Sequence, residues 1–74
     1  MKNLYVRQIH KDFFGKTHKV TQVGPYLEGD TFVLEAQYRF DMRRQKPGET
    51  QITKWELVLE DEDGTKTVLD TRGF

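Results

Sequence analysis

From Thr31 to Met42 the chain alternates at period two: Phe32, Leu34, Ala36, Tyr38, Phe40 and Met42 form one set, and Val33, Glu35, Gln37, Arg39, Asp41 and Arg43 the other. Such alternation over twelve residues is the pattern of a strand with one buried and one wet face, whereas a helix would spread the apolar set around its surface. The segment is therefore expected to be a long β-strand.

Two further segments have hairpin character. Gln51–Glu60 and Thr65–Thr71 flank Asp61-Glu62-Asp63-Gly64, which fits a three-residue loop with Gly64 left-handed. This turn pairs Leu57 with Leu69, Val58 with Val68, Leu59 with Thr67 and Trp55 with Thr71, so that apolar residues meet across the ladder. Trp55 then shares a face with Leu57 and Leu59 and is expected in the core. Around Phe13-Phe14-Gly15, Leu4–Asp12 returns as Lys16–Val23, pairing Asp12 with Lys16, His10 with His18, Gln8 with Val20 and Tyr5 with Val23. Here polar residues oppose several apolar ones. Gly24–Asp30 and Arg43–Thr50 read as loops, with Pro47-Gly48 at the centre of a type II turn.

The expected fold is all-β: one domain over residues 1–74, of five antiparallel strands in meander order, as a strongly bent sheet or a small SH3-like or OB-like barrel. A chain of 74 residues allows a single core, and the absence of cysteine removes disulfides and thiolate zinc as stabilising devices. No apolar run is long enough to span a bilayer and no signal-peptide pattern opens the chain, so a soluble cytoplasmic location is expected.

Lys plus Arg equals Asp plus Glu, twelve each, which argues against an indiscriminate nucleic-acid coat. The charges are nevertheless grouped. Arg39, Arg43, Arg44 and Lys46 form one basic set; Lys16 and Lys19 accompany Phe13 and Phe14 in another; Glu60, Asp61, Glu62 and Asp63 are consecutive carboxylates. Aromatics among cations can anchor a protein interface or stack on single-stranded bases, or they can plug the end of a core. The acidic run lacks the ligand spacing of a calcium loop and suits solubility.

Other motifs carry little chemistry. Gly15-Lys16-Thr17 ends like a phosphate-binding loop, but His10 stands where its first glycine belongs. His10 and His18 as cross-strand neighbours would supply two imidazoles to a metal, without a third ligand, so no metal and no cofactor is expected. The chain has neither cysteine nor serine, and no histidine has an acid and a hydroxyl at motif spacing, so catalysis is not expected.

The functional expectation is a non-enzymatic protein-interaction module or small regulator, docking on a larger partner through a charge-segregated surface, as a phage or bacterial accessory protein acting on host machinery would. One alternative is a barrel that binds RNA or single-stranded DNA, with Phe13, Phe14 or Tyr26 stacking on bases. Another is an assembly component that pairs through its first or last strand as an open edge.

Overall fold

A computed structural model describes residues 2–46 and 51–73. The chain forms β1 (Asn3–Lys11), β2 (Thr17–Leu27), α1 (Val33–Arg44), β3 (Gln51–Glu60) and β4 (Lys66–Gly73). The four strands make one antiparallel sheet in the order β2-β1-β3-β4. The chain is mostly β, but the described strands number four and the sheet is open, with β2 and β4 as its edges. Neither a barrel nor a meander forms, because β1 pairs with β3 and the β2–β3 connection crosses one face of the sheet through α1. The Pro47-Gly48 turn lies outside the described residues.

Both hairpin turns form as their sequences dictate. Asp12 N–H donates to the Lys16 carbonyl and Gly15 N–H to the Asp12 carbonyl, and the same pair of bonds joins Asp61 to Thr65 and Gly64 to Asp61. Gly15 and Gly64 have φ of 80° and 87°, the left-handed conformation that only glycine adopts without strain. Close to the second turn the expected pairs Val58–Val68 and Leu59–Thr67 form.

Beyond each turn the register slips by one residue. Past Lys11–Thr17, His10 faces Lys19 rather than His18, Gln8 faces Thr21, and Val6 faces Val23. The slip matches like with like: Val6 meets Val23 and Ile9 meets Val20, where the simple hairpin would set Gln8 against Val20. In β4, Leu57 faces Asp70 and Trp55 faces Arg72 instead of Leu69 and Thr71. That shift places Arg72 on the helix side of the sheet, where its guanidinium reaches Glu35 of α1 at 2.9 Å. The expected loop Gly24–Asp30 is shorter than its sequence suggests and begins only at Glu28. β2 continues to Leu27, accommodating Gly24-Pro25 as a bulge opposite Tyr5.

The expected strand over Thr31–Met42 is the largest correction: Val33–Arg44 is a helix. The alternation was carried by Phe32, Phe40 and Met42, all of which are exposed. The stripe that meets the sheet is Leu34, Tyr38, Asp41 and Gln45, spaced by a helical turn. Leu34 enters the core, Tyr38 stands edge-on to Trp55 at 4.8 Å, and the Gln45 side chain brackets the backbone of Ile52 as a neighbouring strand would. Two members of the stripe are polar, so it carries no hydrophobic signature. Val33–Arg44 contains no glycine or proline, and Glu35 and Arg39 form an i,i+4 pair at 3.0 Å.

The core lies between α1 and the sheet: Leu4, Val6, Leu34, Trp55 and Leu57, with Tyr26, Val23, Ile52 and Leu59 packed around it. Tyr26 is thus half-buried against the core. No helix among the described residues is long and apolar enough to cross a membrane.

Candidate functional site: a basic, aromatic-tipped end

The register fixes which charges lie together. Lys11 pairs with both Thr17 and Gln51, and Gln45 binds Ile52, so the β1–β2 turn and the C-terminus of α1 occupy the same end of the sheet. Lys11, Lys16 and Lys19 on the turn side and Arg43, Arg44 and Lys46 on the helix side lie at this end; Asp12 is the nearest carboxylate in sequence to the first three, and Asp41 to the two arginines. At the opposite end Asn3 pairs with Leu27 and Glu60, which brings Glu28 and Asp30 to the side of the Glu60–Asp63 turn. The neutral chain is therefore polarised along a 40 Å axis.

Phe13 and Phe14 project from the basic end. They are 95% and 84% exposed, and touch chiefly each other, edge to face, with ring centroids 5.7 Å apart. They do not plug the core. The turn beneath them is rigidified by Asp12, whose Oδ1 accepts from the backbone N–H groups of Phe14 and Lys16 at 2.9 and 3.0 Å. That bonding occupies the one acidic side chain of the turn and presents the two rings on a fixed base.

Not every expected basic residue belongs to this end. Arg39 lies mid-helix and donates to Glu35, which also receives Arg72 from β4. These two guanidiniums, Arg72 first, hold the Glu35 carboxyl below its ordinary range. Arg39 is thus paired within α1, and it is Arg72 that fastens Glu35, and with it the helix, to β4. Arg44 stacks on the Phe40 ring, 5.1 Å from its centroid. In the acidic turn, the Thr65 backbone N–H and then its hydroxyl lower the Asp63 carboxyl, keeping it ionised.

A polar network that sequence reasoning missed runs beneath this end. Asp41 Oδ2 accepts from Gln8 Nε2 at 2.6 Å and from Trp55 Nε1 at 2.8 Å, while Oδ1 accepts from Gln37 Nε2 at 3.1 Å. Gln8 Oε1 in turn accepts the Thr21 hydroxyl at 2.8 Å, and Thr21 Oγ1 lies 2.9 Å from His10 Nε2. Since the single hydroxyl proton of Thr21 goes to Gln8, His10 Nε2 must carry the proton it donates to Thr21. The chain His10–Thr21–Gln8–Asp41–Trp55 thereby ties β1, β2, β3 and α1 together. Asp41, apparently a charge on a wet strand face, is an inward-facing helix residue; only the helical period would have revealed it.

His18 sits at the β2 slip and is not the cross-strand partner of His10. Among the described residues no group of three or more His, Asp or Glu side chains could hold a metal.

Burial, then the neighbouring Lys19, lowers the His10 pKa below its ordinary 6.5, with Asp41 partly opposing and His18 adding to the shift. The folded state therefore favours neutral imidazole. The unfolded chain binds the proton first as pH falls, so this contribution to stability is present above about 6.5 and is lost as pH drops toward the lowered folded value. Urea unfolding at pH 7.5 and 5.5, two settings about a unit either side of that value, should show a loss on acidification that is smaller in His10→Gln. An identical loss in the variant would remove His10 as its source.

No family model, curated protein or solved structure matches the chain.

Proposed function

We propose that this chain is a non-enzymatic docking module that engages an acidic surface of a larger protein through its basic end, with Phe13 and Phe14 as the anchor. The observation that carries this reading is the pair of almost fully exposed phenyl rings on a braced turn, set among cations. Rigid aromatics at the centre of a contact supply most of the binding energy of typical interfaces, and a surrounding ring of charge steers encounter and fixes orientation. Carboxylates at the far end confine attraction for an anionic partner to one end of the molecule. A compact acidic patch fits that limit better than a long polyanion lying along the 40 Å axis.

The test compares the wild-type chain with Phe13→Ser/Phe14→Ser as immobilised baits. Because both rings face water, the double variant should keep its unfolding midpoint, the usual effect of a surface change being within about 0.5 kcal/mol. Proteins retained by wild type and lost by the variant are the expected result; identical capture by both would overturn the proposal. A second reading, single-stranded nucleic acid stacked on the same rings, rests on the same geometry. It predicts binding of labelled oligonucleotides that weakens steeply with salt, and absence of binding at low salt removes it.

A further inference from the structure

Helix α1 covers only one face of the sheet, and the register places Tyr5, Ile9, Val20, Val58, Val68 and Leu27 on the other. Leu27 is 77% exposed, Val20 51% and Val68 43%, Tyr5 and Ile9 are half-buried, and Val58 at the middle is already buried by its neighbours. Between the Tyr5–Val58–Val68 row and the Ile9–Val20 row, Arg7 donates to Glu56 at 2.8 Å; Lys54, opposite Ile9, lies 3.7 Å from the same carboxylate, so the group carries a net charge of only +1. Edge-to-edge growth of the sheet is obstructed in comparison. β2 carries the Gly24-Pro25 bulge, and along β4 the Thr71 N–H and carbonyl are taken by the side chains of Asp70 and Arg72. The first strand, β1, is central and offers no edge.

We propose that the occupant of this open face is a second copy of the chain, packed face to face and antiparallel. This surface is separate from the docking end and does not depend on the role proposed for it. Charge decides both the occupant and its direction. A two-fold axis lying across the strands sets the basic end of each copy over the acidic end of the other, whereas parallel stacking would put like charge on like. Four strands about 4.8 Å apart and nine residues long at about 3.3 Å each present a footprint of roughly 600 Å² per copy, at the lower end of what each partner of a standard interface buries. The packing would be that of a β-sandwich, with the helices outside. Such a dimer carries its two Phe13-Phe14 tips at opposite ends and is bivalent toward a repeated partner.

Sedimentation equilibrium of the wild-type chain should give twice 8.8 kDa. Val20→Lys/Val68→Lys should be monomeric, and the milder Val20→Thr/Val68→Thr, which keeps β-branched residues in both strands, should raise the dissociation constant roughly tenfold or more. Because the chain has no cysteine, one spin label at Thr17→Cys reports direction. In the antiparallel dimer the two labels lie at opposite ends, separated by much of the 40 Å axis. A monomer up to millimolar concentration, a dimer unaffected by the folded threonine variant, or labels close together would each overturn the proposal.

Discussion

Trp55→Ala is expected to remove a large share of the chain's folding free energy and to lower its urea midpoint steeply. Trp55 is fully buried, its ring meets Tyr38 edge-on, and its indole N–H donates to Asp41, so one side chain joins β3 to α1 through both packing and a hydrogen bond. Truncating a buried tryptophan costs about 3–5 kcal/mol. A chain of this length has roughly 4–11 kcal/mol in total, and no disulfide limits its unfolded state. Circular dichroism against urea is the measurement, since the variant loses the only tryptophan and with it the fluorescence signal. Trp55→Phe, which keeps an aromatic ring beside Tyr38 but no N–H, should fall between the two. An alanine variant with the wild-type midpoint would show that the core is not organised around this residue.

The second large effect is expected at Asp41. Alanine there strands the Trp55 indole N–H and the amides of Gln8 and Gln37, each of which now donates to the carboxylate. Leaving a buried donor unpaired costs about 1–3 kcal/mol, so the total loss should be about 2–5 kcal/mol once partial relaxation is allowed. Asparagine should be milder, because its carbonyl can take the Oδ2 position facing Trp55 and Gln8 while its amide turns toward a reoriented Gln37. The predicted order of urea midpoints is wild type, then Asp41→Asn, then Asp41→Ala. Equal losses for both variants would mean that the charge itself, and not the hydrogen-bonding geometry, holds α1 on the sheet.

These two residues also show why part of the fold was hidden. Trp55 was legible, because its position beside Leu57 and Leu59 in an alternating strand leads to the core by simple parity. Asp41 was not. Its helix presents Leu34, Tyr38, Asp41 and Gln45 to the sheet, a stripe whose two polar members are satisfied only by Gln8, Trp55 and Ile52 on other elements. Meanwhile Phe32, Phe40 and Met42 stay exposed and imitate the face of a strand. Local periodicity reports burial only when burial is apolar, and here tertiary hydrogen bonds replaced part of it.

The candidate site divides in the same way. Phe13, Phe14 and their cations were legible as a group because they lie within one turn, whose Asp12 and Gly15 determine its geometry locally. Whether those rings were core or surface depended on what else could cover them, and no element among the described residues does. The association of Lys16 and Lys19 with Arg43, Arg44 and Lys46 crosses about 25 residues of sequence and required the strand register to establish it.

By itself the sequence determined the two glycine turns, the strands that flank them, the pairing nearest each turn and the lack of cysteine and serine chemistry. These follow from backbone sterics and residue type, which act over a few bonds. Only the tertiary structure decided the one-residue slips, the helix, the central place of β1 and the separation of charge into two ends. Each of those depends on contacts between distant segments, where burial, hydrogen bonding and charge are settled together.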